Sequence, residues 1–448
     1  MKHLIARSGN NFVVGLKDQA FLVLDAKAGS VVELLVPQDS KAEATKEPSK
    51  PSDPKKSSTK QTNDEEKSSF PRQKVHDRRK AADEQLKEIS AVAIIGDKDT
   101  LYCAVARNNK AMHIYALKTD SLPENSCHPS LNYRTPKRVS AFAFADIPTA
   151  DLSSKIPLLI STDLAGDAYA YNLVEKGERL LLGHTASMLT DIATADNLLF
   201  TCDRDEKIRI SRWPETYIVE GFLLGHTAFV SGFTTLSSSL GVSYGGDMTV
   251  RLWDLKAQVE ITSASTSNDE NSKADAIPTA IAATTCGSIV AVIYDDCSRL
   301  SIYKVNKGET PSLELLENVE CPSQPLSIVF NEQGSDASKS ELTVLMKDPD
   351  YVVVYDIPHS VTEGVAVGPK TDIGVLQGLK DLASTKTIVM PSTVLEKDDF
   401  GNPVLSKINE TRGPGKEDAP WNRVERVEIA KERERRRKKQ KFSKTTSS

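Results

Sequence analysis

Ser243, His226 and Asp247 are the residue types of a hydrolytic triad. The string Gly241-Val242-Ser243-Tyr244-Gly245 also fits the G-x-S-x-G pattern of a nucleophile elbow. In such an elbow the serine sits on a sharp strand-to-helix turn, exposed above a parallel sheet, where a neighbouring histidine takes its proton. Here the serine is followed by Gly245-Gly246-Asp247-Met248 and a β-rich run, Thr249-Val250-Arg251-Leu252-Trp253, with no helical pattern. The same residue types have a second use. Sealed between strands, His, Ser and Asp satisfy one another's hydrogen bonds and hold a fold together. The two readings differ in one physical respect, whether the hydroxyl is open to solvent.

The spacing of these residues favours the second use. Leu182-Gly183-His184-Thr185-Ala186 returns as Leu224-Gly225-His226-Thr227-Ala228, and His184 to His226 is 42 positions. Asp205 to Asp247 and Thr201 to Ser243 are also 42 apart. A Gly-His opening, a Trp-Asp close (Trp253-Asp254) and a period of roughly 40–45 residues are the signature of WD repeats, each a four-stranded blade of a β-propeller. A blade cannot bury both faces alone and becomes stable by stacking on its neighbours. In the second copy the expected buried network is His226, Ser243, Asp247 and Trp253. In the first it is His184, Thr201 and Asp205, with Ser211 in the tryptophan position, so that copy is expected to be incomplete.

The chain has 448 residues, a net charge of −5 and a pI near 5.9, so the whole molecule has no nucleic-acid footprint and any basic surface must be local. The six cysteines, Cys103, Cys127, Cys202, Cys286, Cys297 and Cys321, show no C-x-x-C spacing. That argues against a zinc site and for free thiols in a reducing compartment. Cys127-His128 is the one Cys/His neighbour pair, placed in a loop, and one pair cannot make a four-ligand site. The N-terminus has no signal-peptide run and no stretch of 18 apolar residues occurs, so a soluble intracellular protein without a membrane span is expected. There is no G-x-G-x-x-G opening a βαβ unit and no P-loop.

These observations predict an all-β chain: a seven-bladed WD-repeat β-propeller with a long disordered insertion and a basic helical C-terminal tail. Residues 1–36 read as the first blade and 37–88 as the polar insertion, too poor in apolar residues to offset the entropy of ordering. Residues 89–359 hold the remaining blades, with Asn109, Asp167, Asp296 and Asp348 or Asp350 near further turns. Leaving out the insertion and everything after His359 gives about 44 residues per blade. Residues 360–421 read as an irregular extension. The insertion is a solvated loop or, through Arg72, Lys74, Arg78, Arg79 and Lys80, an electrostatic arm. Residues 422–448 form the basic tail, where Glu425, Glu428, Glu432 and Glu434 alternate with cations at helical spacing. Its unbroken run Arg435, Arg436, Arg437, Lys438, Lys439 reads as a solvated tail, a nuclear localisation signal or a phosphate-contacting arm.

One part of the repeat goes beyond generic WD signals. Ser187-Met188-Leu189-Thr190-Asp191, Asp203-Arg204-Asp205-Glu206-Lys207-Ile208-Arg209-Ile210-Ser211, and Gly225-His226 with Phe229-Val230-Ser231 resemble the non-catalytic WD-repeat subunit of the eukaryotic tRNA (guanine-N7)-methyltransferase. The close match covers about a fifth of the chain. It departs from the family at Thr185-Ala186, one residue longer than expected, and at Cys202, where serine is expected. The resemblance implies a heterodimer and a scaffold role without chemistry of its own. S-adenosylmethionine would be bound by the separate catalytic subunit, which methylates a guanine in the tRNA variable loop. It implies no cofactor in this chain, contact with tRNA through the complex, and a nuclear location. It also implies that the basic residue matching Arg209 meets an acidic group of the catalytic subunit.

The residues support such docking in their own right. Lys207 and Arg209 alternate with Ile208 and Ile210, so a strand would put the cations on one face and the isoleucines on the other, leaving the cations free for a partner. Arg209 stands first, since arginine suits a bidentate carboxylate pair; Lys207, Arg204 and Glu206 come second. Arg251, 42 positions after Arg209, shows that such a charge can also be ordinary surface. A generic WD adaptor, such as a ubiquitin-ligase substrate receptor or a ribosome-assembly factor, is the alternative function, and a hydrolase resting on G-x-S-x-G the third.

Overall fold

The computed structural model describes residues 4–8, 11–16, 19–24, 30–36, 86–96, 99–121, 126–148, 155–185, 187–266, 277–295, 297–331, 339–347, 352–358, 396–397 and 403–404. Met1–Leu405 is one compact unit and Ser406–Ser448 a second. The second unit, and with it the expected basic helical tail, lies outside the described residues. So do nearly all of the expected insertion and all but four residues of the expected extension.

The described chain is built of strands. The first sheet holds β1 (Ile5–Ser8), β2 (Asn11–Leu16), β3 (Gln19–Leu24) and β4 (Ser30–Leu34). Next come β5 (Ile89–Gly96), β6 (Thr100–Arg107), β7 (Ala111–Lys118), β8 (Ser126–Cys127) and β9 (Leu131–Arg134). The third blade is β10 (Val139–Pro148), β11 (Lys155–Asp163), β12 (Asp167–Asn172) and β13 (Glu178–Gly183). The fourth is β14 (Leu189–Ala195), β15 (Leu198–Asp203), β16 (Lys207–Arg212) and β17 (Val219–Leu224). The fifth is β18 (Val230–Thr235), β19 (Leu240–Gly245), β20 (Thr249–Asp254) and β21 (Val259–Ser265). The sixth is β22 (Pro278–Ala283), β23 (Ile289–Tyr294), β24 (Arg299–Asn306) and β25 (Ser312–Glu320). The last group is β26 (Pro325–Asn331), β27 (Lys339–Met346) and β28 (Val352–Pro358), followed by a small hairpin, β29 (Glu396–Lys397) with β30 (Pro403–Val404).

Each blade is an antiparallel meander, and its first strand neighbours the first strand of the next. The array is therefore a β-propeller. Six sheets carry four or more strands, the full complement of a WD blade; β26–β28 has three. This corrects the expectation of seven full blades to six. The group at 326–355 does alternate as a blade should, but among the described residues no fourth strand pairs with it. A second departure concerns β8. Cys127, expected in a loop, instead adds with Ser126 to the first sheet, parallel to β4, with Leu34 opposite Cys127. The amide of Leu35 donates to the Cys127 carbonyl at 2.9 Å, and the Tyr115 hydroxyl donates to the Leu35 carbonyl at 3.0 Å.

The sequence period reappears as a repeated backbone irregularity. Six inner strands shift register at their second residue: Ser90, Ser140, Thr190, Ser231, Thr279 and Leu326. Such a bulge bends the strand and increases its twist. One of these positions, Thr190, and the residue after it also join blades four and five. Thr190 donates to the Val230 carbonyl at 2.6 Å, and the Asp191 carboxylate accepts the Phe233 amide at 3.0 Å. The approach requires glycine at 232, because a Cβ there would lie 2.5 Å from both Asp191 Oδ2 and the Tyr244 hydroxyl oxygen. This gives the Thr190-Asp191 pair of the family-like string a structural task.

The core lies between blades, not within one. Ala168, Leu181 and Leu182 of the third blade pack with Leu189, Ile192 and Trp213 of the fourth. Phe200, Ile208, Ile210 and Leu223 of the fourth pack with Val230, Phe233 and Trp253 of the fifth. The fourth blade therefore has two distinct faces. Its isoleucines look at the fifth blade, and the side carrying Lys207 and Arg209 looks at the third.

Candidate functional site

In the fifth blade the strand order delivers four polar side chains to one line. His226 sits just before β18, Ser243 is on β19, Asp247 is in the β19–β20 turn and Trp253 is on β20. The Trp253 indole N–H donates to Ser243 Oγ at 2.7 Å. Ser243 in turn lies 2.7 Å from His226 Nε2, and His226 Nδ1 lies 3.0 Å from both oxygens of Asp247. The available donors fix the direction: the serine O–H donates to Nε2 and the Nδ1–H donates to the carboxylate. Burial alone would raise the Asp247 pKa. The hydrogen bond from His226, with those from Thr249 and the Thr227 amide, outweighs it and holds the carboxyl well below its usual range.

These distances would serve a catalytic triad, but the setting does not. Ser243 is fully buried inside a strand, with its oxygen engaged by Trp253 and His226, and no strand-to-helix elbow exists there. The G-x-S-x-G string is therefore a blade strand, and the hydrolase reading loses its one support.

The fourth blade solves the same problem differently. His184 Nε2 lies 2.8 Å from Thr201 Oγ1, but Nδ1 meets Asp203 Oδ2 at 3.0 Å, not Asp205. This corrects the expected network. Asp205, at the register position of Asp247, is exposed and pairs with its neighbour Arg204 at 3.2 Å. The reason is local. Asp203 stands where the fifth blade has Gly245, and a Cβ at Gly245 would lie 2.9 Å from His226 Nδ1. That backbone position thus faces the histidine directly. With aspartate there, Asp203 takes the imidazole with one oxygen and the amides of Asp205 and Lys207 with the other, at 2.9 and 3.0 Å. Asp163 of the third blade caps its turn in the same way, accepting the amides of Ala165, Gly166 and Asp167. The signal was present in the sequence as Ser161-x-Asp163 and Thr201-x-Asp203.

The proposed docking residues are distributed over one turn and one strand. Arg204, Asp205 and Glu206 form the β15–β16 turn, Glu206 at a φ of 72°. Lys207 opens β16 and is exposed. Arg209 is not the free cation expected from alternation. It is half-buried, and its guanidinium donates to Ser211 Oγ at 3.1 Å, to the Thr216 carbonyl at 3.2 Å and to the Gly183 carbonyl of the third blade at 3.4 Å. Burial lowers its pKa. With Ser211 replacing the tryptophan, the guanidinium folds toward the small side chain. Among the described residues no carboxylate pairs with Arg209 or Lys207. Arg251, its counterpart, pairs with both Asp247 and Glu260.

Among the described residues no group of three His, Cys, Asp or Glu side chains is placed to hold a metal ion, and no helix is long and apolar enough to cross a membrane. The run Arg435, Arg436, Arg437, Lys438, Lys439 lies outside the described residues.

Comparison with known proteins agrees with the resemblance carried by the motifs. Residues 174–350, spanning the fourth to sixth blades and their flanks, match the family described as the tRNA methyltransferase TRM82 WD40 domain. A relative from Aedes aegypti, named tRNA (guanine-N(7)-)-methyltransferase non-catalytic subunit wuho, is 29% identical over 246 residues, 52% of this chain and 57% of its own. The protein of the same name from Drosophila melanogaster is 36% identical over 171 residues, 37% of each chain. That from Drosophila ananassae is 43% identical over 100 residues, 21% of this chain and 24% of its own. The chain thus spans about half the length of the first of these relatives, and less of the others. Among solved structures, a chain of the mitotic checkpoint complex has a TM-score of 0.53 at 13% identity, covering 80% of this chain and 89% of that one. U3-55K has 0.53 at 16%, covering 78% and 92%. At such identities these two likenesses speak for the fold alone.

Proposed function

We propose that this chain is the non-catalytic scaffold subunit of a heterodimeric tRNA (guanine-N7)-methyltransferase. It docks and stabilises a separate catalytic subunit, which binds S-adenosylmethionine and methylates a guanine in the tRNA variable loop. The observation that carries this is the pairing of two facts on one stretch. Residues 174–350 match the family domain, and that span contains a half-buried arginine whose charge nothing in the described chain neutralises. A half-buried guanidinium held only by carbonyl and hydroxyl acceptors gains further when a partner supplies a carboxylate. Arg209 is the principal contact, Lys207 the second, with Arg204 and Glu206 at the margin of the interface. The tRNA is met through the complex, and the complex resides in the nucleus.

The test is reconstitution. Each chain purified alone should leave tRNA unmethylated, and the mixture should methylate it and elute as a one-to-one pair. Arg209→Glu should lower pair affinity by about 100-fold, as removal of a central charged anchor does, with the propeller still folded. Methylation by the single chain, or failure of any methyltransferase-fold protein to bind it, defeats the assignment.

A further inference from the structure

Arg209 is directly opposite Phe222 in the β16–β17 ladder, Lys207 is opposite Leu224, and Ser211 is opposite Val219 beyond a register shift. Residues directly opposite one another share a face of the sheet. Val219, Phe222 and Leu224 therefore form a row beside Ser211, Arg209 and Lys207, on the side away from Ile208, Ile210 and Leu223. All three are exposed: Val219 at 43%, Phe222 at 42% and Leu224 at 63%. Tyr217, next to the Thr216 carbonyl that accepts Arg209, is 77% exposed. Isolated exposed apolar residues are ordinary. Three on one face of an outer strand, beside two cations without a carboxylate, form a composite surface.

The fifth blade supplies the control. There Glu260 is opposite Trp253, Ser263 opposite Arg251 and Ser265 opposite Thr249. The outer strand thus provides a counter-ion, which takes Arg251, and two small hydroxyls. At the same three places the fourth blade provides valine, phenylalanine and leucine. One blade neutralises its arginine internally; the other leaves it charged and borders it with apolar side chains.

We propose that this face of β17 is a docking surface for a protein segment that presents a carboxylate flanked by apolar side chains. The carboxylate meets Arg209 and Lys207, and the apolar groups cover Phe222 and Leu224. Covering them excludes water from around the ion pair, which strengthens it. A nucleic-acid backbone would neutralise the cations but leave the apolar row in water. The inference rests on the functional reading above in taking the catalytic subunit as the partner.

The experiment is a titration of the full chain with the catalytic subunit at 0.15 and 0.5 M salt, with thermal midpoints recorded for each variant. Phe222→Ser with Leu224→Ser, which installs the fifth blade's residues, should weaken binding by about 30-fold at both salt concentrations. Val219→Glu puts a carboxylate beside Arg209 as Glu260 stands beside Arg251; it should weaken binding by about tenfold while the midpoint holds or rises. Val259→Ser, on the exposed outer strand of the fifth blade, should bind as the parent does. If the parent pair forms and both β17 variants bind it unchanged, the docking surface is overturned and the scaffold function stands. Equal weakening by Val259→Ser overturns it as well. If the parent chain does not bind the subunit at all, the functional reading falls first.

Discussion

Blades four and five carry the same arginine, 42 positions apart, and treat it in opposite ways. In the fifth blade, Arg251 is enclosed by Asp247 and Glu260, and below it Trp253, Ser243, His226 and Asp247 form a complete buried chain. In the fourth, the tryptophan is Ser211, the histidine bonds Asp203, and Arg209 has carbonyl and hydroxyl acceptors only. A fold made of repeats needs the first arrangement for its own stability. In the fourth blade the departure from it leaves the arginine and the strand beside it open for another use. The complete blade thus serves as the reference for the incomplete one, and variants can be chosen to set the two against each other.

The largest difference should come from the histidines. His226→Ala takes the acceptor from the buried Ser243 hydroxyl, which also holds the Trp253 indole, and one donor from the buried Asp247 carboxylate, and should cost about 4 kcal/mol in urea unfolding. His184→Ala should cost about 2 kcal/mol, because the hydroxyl it leaves without a partner, that of Thr201, holds no indole. Equal costs would abolish the distinction between a complete and an incomplete network.

A smaller effect separates the two aspartates of the fourth blade. Asp203→Ala should cost about 2 kcal/mol, since a histidine and two backbone amides lose their acceptor. Asp205→Ala should cost less than about 0.5 kcal/mol, as for an exposed pair between neighbours. The opposite ranking would restore the position that the 42-residue register assigns to Asp205.

The smallest and most conditional effect is on pH. The folded-state pKa of Asp247 is depressed, so its contribution to stability is complete above the unfolded value, about 3.9, and is lost as pH falls through the folded value. The destabilisation of Asp247→Asn should therefore be constant from about pH 5 to 8 and shrink below about pH 4, which denaturant titrations at fixed pH can follow. A gap that widened in acid would contradict the assigned sign.

Much of this was legible beforehand because repeated blades require the same polar groups at the same places. Each of the two blades that carry the motif must satisfy its buried histidine from a neighbouring strand and turn, so the 42-residue spacing of His, Thr/Ser and Asp located the fifth-blade network residue by residue. The same spacing misplaced one member in the fourth blade. Two aspartates, 203 and 205, flank one turn, and register cannot tell which of them backbone geometry aims at the ring. Alternation in residues 207–210 placed Ile208 and Ile210 on the buried face. It left Arg209 too free, because the carbonyls that hold it belong to Gly183 of another blade and to Thr216 of the following loop. The two-residue strand Ser126–Cys127 carried no pattern at all, since its pairing with β4 is non-local and too short to show periodicity.

The sequence by itself determined that the chain is a stack of β blades, which residues seal the complete one, and where the family-like stretch lies. Those features depend on residue type and spacing within a single repeat, and a repeat is read along the chain. Tertiary structure alone decided how many blades are complete, which aspartate holds His184, and that an uncompensated arginine and an apolar row share one face. Each of these depends on which strands become neighbours. The burial and charge of a side chain are set by what stands across from it in space, which the order of residues along the chain does not state.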